Sequence, residues 1–235
     1  MVIPVRDRAD VIGRAVVGVL AQTFGDLEVV VVDDGSVDDT VAATHAVADQ
    51  RVRLVRPTPA GPPEGTAAAC RTGLEAARGR WAVLLDPDTE VAAAWLARLG
   101  RLIDASGAGF VSCGGEHHHL DGSVTEILPI ATGHDPAACL RPAAFATSTA
   151  RLAAAAARAC EDDGDAPRTI GALALADAIA DGDAVTHTPE TLVAWFERAP
   201  EDPAEGDELR LRWAFQGLEA LARTPIPDGE LLARY

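Results

Sequence analysis

The residues with the clearest chemical potential are two clusters of aspartates. Asp33 and Asp34 follow one apolar run of the chain, and Asp86 and Asp88 follow another. Hard divalent cations such as Mg²⁺ and Mn²⁺ bind carboxylate oxygens, and one or two protein carboxylates often hold a cation that also contacts substrate phosphates. If the fold brings the clusters together, the pattern indicates a site for a metal and a diphosphate-bearing ligand. The alternative is that these aspartates only cap the helices that follow them.

The apolar runs that precede the aspartates are typical of buried strands. They are rich in β-branched residues and do not alternate with polar residues, as in a parallel sheet covered on both faces. Strand and helix alternate strictly in this half, which predicts a mostly parallel sheet with helices on both faces. The predicted strands span 2–5, 27–32, 52–55 and 81–85, and the predicted helices span 11–20, 39–48, 66–77 and 92–106. Because ligands bind at the carboxyl ends of such strands, we expect both aspartate clusters at one crevice.

The pattern changes after residue 109. Residues 110–119 and 124–128, on either side of the turn at 120–123, predict a β-hairpin. Further elements are predicted as helices over 143–159, 170–180 and 208–223, a short strand over 185–188 and a charged linker over 199–207. We find no internal repeat, so the sequence predicts one domain over 1–235.

The composition excludes several classes of ligand and cofactor. The chain carries a formal net charge of −16, which disfavours binding to nucleic acid or to an anionic membrane. It contains no lysine, so it lacks the phosphate-binding lysine of a P-loop and the Schiff-base lysine of a pyridoxal enzyme. Its four cysteines are scattered, and no apolar run reaches the roughly 20 residues that span a bilayer. We therefore expect a cytoplasmic protein without a transmembrane segment.

Four motifs in the first half resemble, in the same order, the signatures of family 2 glycosyltransferases with the GT-A fold. They are IPVRD at 3–7, LAQTF at 20–24, VVDDGSVDDT at 31–40 and LLDPD at 84–88. The resemblance implies an α/β GT-A fold, with a mostly parallel, Rossmann-like sheet, helices on both faces and a mixed, hairpin-containing C-terminal half. It also implies that 1–108 bind a nucleotide-sugar, that 109–200 form the acceptor side and that 201–235 form a helical tail.

The same resemblance implies a transferase that moves a sugar from a nucleotide-diphosphate donor to an acceptor hydroxyl. Such enzymes are usually inverting, and the cofactor expected is Mn²⁺ or Mg²⁺. A UDP- or dTDP-sugar is the expected donor, and the acceptor is left open. By position, Asp86 is expected to contact the ribose and Asp88 the metal on the diphosphate. The other nucleotide-binding residues that the resemblance implies are Pro4, Arg6 and Asp7 around the base, Asp34 as its hydrogen-bond partner, and Arg71.

Two of these positions depart from the family pattern. Arg6-Asp7 stands where the family commonly has Tyr-Asn, which removes a ring that would stack on the base. Arg71 is shifted by one position relative to the usual Ala-Arg-Asn-x-Gly pattern, a rotation of about 100° on a helix.

The resemblance also implies a catalytic base on the acceptor side. In the family it belongs to a Glu-Asp motif ahead of a Pro-Glu-Pro-Leu-Val-like segment, which residues 189–193 resemble. Gly171 stands near the position where the family pattern places this acid, and a glycine cannot act as a base. We therefore expect Asp162 or Asp165, in the acidic loop further upstream, to serve as the base. The alternative is that this loop is only a solvated acidic segment.

His117, His118 and His119 form a potential metal-binding tract. Adjacent residues of a strand point to opposite faces, so at most His117 and His119 face the same way. A plain hairpin strand is the favoured interpretation.

The main alternative function is a GT-A-like domain that binds a nucleotide, a glycan or a protein partner without transferring sugar. The departures at Arg6-Asp7, at Arg71 and at the base favour it, whereas the retention of Asp86 and Asp88 argues against it. Haloacid-dehalogenase-type phosphatases and receiver domains also use strand-end aspartates, but the absence of lysine argues against both.

Overall fold

The computed structural model describes residues 1–57, 64–127, 144–161 and 167–196. Strands and helices alternate from the first residues, as the sequence predicts. The strands are β1 (Val2–Val5), β2 (Val29–Asp33), β3 (Val52–Val55), β4 (Trp81–Ala82), β5 (Thr89–Val91), β6 (Phe110–His118), β7 (Val124–Ile127), β8 (Phe145–Ser148) and β9 (Val185–Phe196). The helices are α1 (Ile12–Leu20), α2 (Thr40–Ala46), α3 (Thr66–Ala76), α4 (Trp95–Ser106), α5 (Thr149–Glu161) and α6 (Pro167–Ala180).

A parallel sheet forms the first half, in the order β1-β2-β3. Val5 pairs with Asp33, and Val32 pairs with Val55, so the three strands end at the same edge. The chain just after β4 extends this sheet on the other side of β1, because the Val2 amide donates to the Val83 carbonyl at 2.9 Å and the Leu85 amide to the Val2 carbonyl at 2.9 Å. The predicted strand at 81–85 is therefore shared between two sheets.

The second sheet is mixed, in the order β4-β8-β6-β9-β5, with β7 paired to β6. The β6–β7 pair is the predicted hairpin. β9 runs parallel to β6 along its whole length, and β5 pairs antiparallel with β9. Since β4 leads into the segment that pairs with β1, the two sheets form one continuous surface.

Helices cover both faces of this surface, as predicted. Val2, Val30 and Val32 pack with buried residues of α3, α5 and α6 on one face. Ile3 and Val31 pack with α1 and α4 on the other. Alternate residues of each buried strand thus enter opposite cores, which explains why the strands read as continuous apolar runs.

Two predictions for the second half are wrong in their bounds. The helix predicted over 143–159 is preceded by a buried strand, β8, and begins only at Thr149. The short strand predicted over 185–188 continues to Phe196. In both places pairing with β6 decides the conformation, and pairing with a distant strand leaves no local sequence signal. The linker and helix predicted over 199–223 lie outside the described residues.

Candidate functional site

The carboxyl ends of β1, β2 and the segment after β4 meet at one edge of the parallel sheet. The register places Val5 beside Asp33 and Val2 beside Leu84, and continuing the second, parallel register puts Asp86 level with Pro4, near the end of β1. The residues that follow, Arg6 and Asp7, Asp34, and Asp86, therefore emerge together. Both aspartate clusters lie at this edge, as the alternation of strands and helices predicts.

Asp7 links the end of β1 to the loop after β2. Its backbone has a positive φ of 50°, a conformation that aspartate tolerates better than most residues. Its Oδ1 accepts the Val37 amide at 2.8 Å, and its own amide donates to the Ser36 hydroxyl at 3.0 Å. Asp7 therefore fixes the shape of the loop as well as lining the edge, whereas the side chain of Arg6 beside it is 57% exposed.

Asp33 is a buried anchor for the same loop. Its Oδ2 lies 2.8 Å from Nε of Arg56, and its Oδ1 accepts the Ser36 amide at 3.0 Å. Arg56 was not among the residues predicted from the sequence. Its position directly after the strand at 52–55 is the signal that could have suggested it, because the ends of β2 and β3 are neighbours.

Asp34 bonds to the start of α3. Its two carboxylate oxygens accept the Glu64 amide at 2.8 Å and the Gly65 amide at 2.9 Å, and the side chain is almost fully buried. A carboxylate just before a helix start is also stabilised by the positive end of the helix dipole. Asp34 thus fixes the segment that leads into α3, and no described side chain caps the helix itself. Each carboxylate oxygen has a second lone pair, so an additional donor from a ligand is chemically possible.

Asp86 and Asp88 lie in a tight turn. The Thr89 amide donates to the Asp86 carbonyl at 3.0 Å, and Pro87 occupies the position of a turn where its fixed φ is favourable. Both aspartates are half-buried, and β5 starts at the next residue. Antiparallel pairing of β5 with β9 then holds the turn between the two sheets. Two half-buried carboxylates are a donor set that fits Mn²⁺ or Mg²⁺.

Pro4 and Arg71 occupy different surroundings. Pro4 is buried in β1 opposite Val32. Arg71 lies on α3, with NH1 3.9 Å from Oε1 of Glu75. Its Nε is buried and has no hydrogen-bond partner among the described residues. A buried guanidinium N–H without an acceptor destabilises the folded state. A ligand oxygen that accepted from it would therefore gain a favourable hydrogen bond.

Asp162 and Asp165 lie outside the described residues. Gly171 is buried within α6, so no carboxylate stands at that position. In the segment 189–193, Glu190 forms an ion pair with Arg98, with Oε2 3.2 Å from Nε.

The histidine tract is divided between two faces, as the alternation of strand residues predicts. The rings of His117 and His119 lie side by side, with centroids 4.4 Å apart. His118 instead stacks on Phe196 at 4.8 Å. Within the ranges that the structure describes, no group of three or more His, Cys, Asp and Glu side chains forms a metal cluster.

A model of the family described as "Glycosyl transferase family 2" matches residues 1–128, which is more than half of the chain. The chain belongs to glycosyl transferase family 2. All four motifs at 3–7, 20–24, 31–40 and 84–88 fall within the matched region, so the membership expected from them is confirmed.

Curated relatives of this family 2 chain are considerably longer. Succinoglycan biosynthesis protein ExoO of Rhizobium meliloti (strain 1021) is 43% identical over 107 residues, which cover 46% of this chain and 30% of that protein. The chain spans about a third of the length of the curated relatives it matches first.

Solved structures confirm the GT-A fold of the family 2 chain. Residues 1–349 of S. aureus TarS in complex with UDP-GlcNAc superpose with a TM-score of 0.70 at 14% identity, covering 97% of this chain and 67% of that one. Glucosyl-3-phosphoglycerate synthase from Mycobacterium tuberculosis, in complex with Mn²⁺, UDP and phosphoglyceric acid, superposes with a TM-score of 0.61 at 21% identity, covering 97% of this chain and 78% of that one.

Among the helices described here, none is long and apolar enough to cross a membrane.

Proposed function

We propose that this family 2 chain transfers a sugar from a nucleotide-diphosphate donor to an acceptor hydroxyl, with inversion and with Mn²⁺ or Mg²⁺. The observation that carries the proposal is the convergence of Arg6 and Asp7, Asp34, and Asp86 at one sheet edge. UDP-sugars are the favoured donors over dTDP-sugars, since the TarS structure was solved with UDP-GlcNAc and the M. tuberculosis synthase with UDP and Mn²⁺.

In this proposal the nucleotide lies across the carboxyl ends of β1 and β2. Pro4, Arg6 and Asp7 line the base, and Asp34 accepts a hydrogen bond from it. The amides of Glu64 and Gly65 hold Asp34 in place, so its oxygens are oriented before the base arrives. Asp86 contacts the ribose, and Arg71 offers its buried Nε–H to an oxygen of the nucleotide.

Asp88 is the proposed ligand of the metal. A divalent cation bound there would stabilise the negative charge that develops on the departing diphosphate. The tight turn fixes Asp88 relative to Asp86, and the start of β5 fixes it relative to the second sheet. This arrangement would keep ribose and diphosphate in one orientation.

On the acceptor side, a carboxylate must take the hydroxyl proton as the oxygen attacks the anomeric carbon and the bond to the diphosphate breaks. We assign this role to Asp162 or Asp165.

The proposed domain organisation is one domain over residues 1–235, whose three parts meet after residues 108 and 200. The proposed location of the chain is the cytoplasm.

A specific observation supports a second candidate function, nucleotide binding without transfer. Gly171 is buried in α6 near the register where the family pattern has its acid. If neither Asp162 nor Asp165 supplies the base, the chain would bind a donor and leave it intact.

Calorimetric titration of UDP, dTDP and GDP, each with and without Mn²⁺, tests the donor site. We expect Mn²⁺-dependent binding of UDP in the unaltered chain and its loss in Asp88→Ala. Asp104→Ala, which removes an exposed carboxylate on α4, is the matched control and should bind UDP normally. The absence of binding by all three nucleotides would contradict the proposal.

A second measurement separates transfer from binding alone. UDP-sugar is incubated with the unaltered chain, with Asp162→Asn and with Asp165→Asn, and release of UDP is followed in the presence of candidate acceptors. Release that depends on one of these aspartates supports the transferase. UDP binding without release in any acceptor screen favours the non-transferring alternative.

A further inference from the structure

A cavity of about 720 Å³ lies between α4 and the amino ends of the parallel strands. Its lining includes Glu28, just before β2, and Trp81, the first residue of β4. From Glu28 to Asp34, at the opposite edge of the sheet, the extended chain covers about 20 Å. The cavity is therefore separate from the proposed nucleotide site, and its size suits a small organic molecule rather than a single ion.

The wall of the cavity is largely apolar. Leu96, Leu99 and Ile103 are three and four residues apart on α4, so they lie on one face of the helix and turn it toward the cavity. Trp81 and Phe24 add aromatic surface, and Phe24 is 42% exposed. An apolar group that entered the cavity would cover this ring and leave water at the same time, which is favourable.

Arg78 and Arg80 bring positive charge to the same lining. Neither guanidinium has a hydrogen bond or an ion pair with a described residue. Every other arginine side chain that the structure describes contacts a carboxylate or a backbone carbonyl. Because acidic residues outnumber basic ones by 36 to 20, arginines without a partner are exceptional in this chain.

The backbone that carries the two arginines is held in place. Oε1 of Glu28 accepts the amides of Arg78 and Gly79. The Thr149 hydroxyl donates to the Gly79 carbonyl at 2.6 Å, and the Thr149 amide donates to the Arg80 carbonyl at 3.0 Å. The main chain is thus fixed at this edge of the cavity, while both guanidinium groups keep their donors for a ligand.

We propose that this cavity binds an anionic amphiphile, a small molecule with a hydrocarbon body and one phosphate or carboxylate head. The apolar wall covers the body, and Arg78 and Arg80, separated by one residue, donate to the oxygens of the head. The inference does not depend on the proposed transferase activity, because the cavity lies at the edge of the sheet opposite to the donor site.

The carboxylates of the lining do not oppose this assignment. Glu28 is bonded to Arg53 and to the two amides of the loop. Asp26 and Asp104 are exposed and belong to different elements, the turn before β2 and α4. Exposed carboxylates without a partner are expected in a chain with a net charge of −16, whereas two neighbouring unpaired arginines are not.

Calorimetric titration of octyl phosphate into the full chain, below the concentration at which it forms micelles, tests the proposal. We expect Arg78→Ala and Arg80→Ala each to weaken binding by about threefold or more, and the double variant by about tenfold or more. Phe24→Ala removes an exposed part of the wall and should weaken binding by about threefold. Arg101→Ala and Val17→Ala, exposed and outside the lining, are matched controls that should bind within about twofold of the unaltered chain.

Three further compounds determine which part of the ligand is recognised. Octanol carries the body alone, inorganic phosphate carries the head alone, and octyltrimethylammonium carries the opposite charge. Each should bind at least about tenfold more weakly than octyl phosphate, because each lacks one of the two features that the cavity complements.

Three results would overturn the proposal: no binding of octyl phosphate to the unaltered chain, equal affinity in the double alanine variant, or equally tight binding of octyltrimethylammonium. Thermal unfolding without ligand identifies any variant that fails to fold. Arg78→Lys with Arg80→Lys, which keeps both charges, then takes the place of the alanine pair and should bind more weakly than the unaltered chain.

UDP titration separates this cavity from the donor site. The double alanine variant should bind UDP as the unaltered chain does, because neither arginine lies at the carboxyl edge of the sheet. Octyl phosphate binding without any UDP binding would contradict the proposed function and leave this inference supported.

Discussion

Nε of Arg56 donates a hydrogen bond to Oδ2 of Asp33 across 2.8 Å, from the end of one strand to the end of the next. The carboxylate is fully buried, whereas the arginine side chain is 43% exposed. The Ser36 amide donates a hydrogen bond to the other carboxylate oxygen of Asp33. The loop that carries Asp34 therefore begins at a buried carboxylate that has a partner on each oxygen. One of these partners, Arg56, extends to the protein surface.

Arg56→Ala should lower the free energy of unfolding by about 2 kcal/mol, because it leaves Asp33 buried with one partner fewer. Urea denaturation measures the change. Arg51→Ala is the control, since it breaks a pair of two partly exposed residues, Arg51 and Asp49, and should cost clearly less than Arg56→Ala. Equal losses in the two variants would show that the burial of Asp33 is unimportant.

Asp7 combines a positive φ with an accepted hydrogen bond, and substitutions separate the two. Asp7→Ala loses the acceptor for Val37 and disfavours the backbone conformation, so we expect a loss of about 1–2 kcal/mol in unfolding free energy. Asp7→Asn keeps an acceptor and tolerates this conformation, so it should stay within about 0.5 kcal/mol. Urea titrations of both variants, with Arg6→Ala as an exposed neighbour, provide the comparison. A larger loss in Asp7→Asn than in Asp7→Ala would refute this account of the loop.

The first half of the fold and the gathering of its aspartates could be predicted because their signals are local. Buried strands and strand-terminal aspartates are visible in a few consecutive residues, and the alternation with helices determines which strand ends meet. The pairing partners could not be predicted. Asp33 meets Arg56 and Asp34 meets Gly65 only after the strands and α3 are packed. The position of Arg56 after the strand at 52–55 is a signal only once β2 and β3 are known to be neighbours, and Gly65 has no such signal.

The second half was predicted less well for the same physical reason. Residues 145–148 lie in an alanine-rich stretch that favours helix, yet β8 is a strand because it pairs with both β6 and β4. Residues 189–196 likewise continue β9, with register shifts near Gly114 where β9 holds extra residues. Pairing between distant strands overrides local propensity there.

Gly73 permits the close approach of α3 to the parallel sheet. A Cβ at this position would clash with the side chains of Val2 and Val32, both fully buried. Gly73→Ala should therefore destabilise by about 1–3 kcal/mol through overpacking. Gly18→Ala, in α1 with open space around the same atom, is the matched control and should stabilise by up to about 1 kcal/mol. Thermal unfolding of the two variants should move in opposite directions, and a neutral Gly73→Ala would contradict the tight packing.

Glu28 makes part of the stability dependent on pH. Burial by itself would raise its pKa, but hydrogen bonds from the amide of Arg78, the side chain of Arg53 and the amide of Gly79 outweigh this and lower the pKa from its usual range. A carboxyl group with a lowered folded pKa contributes stability above its unfolded pKa of about 4.3, and that contribution is lost as the pH falls through the folded value.

Glu28→Gln should accordingly reduce stability at pH 7 and flatten the decline in stability below about pH 4. Urea midpoints measured from pH 7 to pH 3 test both effects. Glu75→Gln, which removes an exposed partner at 3.9 Å from Arg71, should leave the profile parallel to that of the unaltered chain. A Glu28→Gln profile with the same slope would mean that this carboxyl does not titrate as described.

Arg71 provides a test of the nucleotide site that is independent of the metal. Its buried Nε lacks a hydrogen-bond partner among the described residues, and its only ion pair is a long one with Glu75 in the same range. If the proposed nucleotide accepts from Nε, Arg71→Ala should weaken UDP binding by about tenfold, or about 1.4 kcal/mol. Arg71→Lys should not restore it, because an ammonium cannot reproduce the guanidinium geometry. Arg101→Ala, an exposed arginine on α4, should bind UDP normally, and unchanged UDP affinity in Arg71→Ala would remove Arg71 from the site.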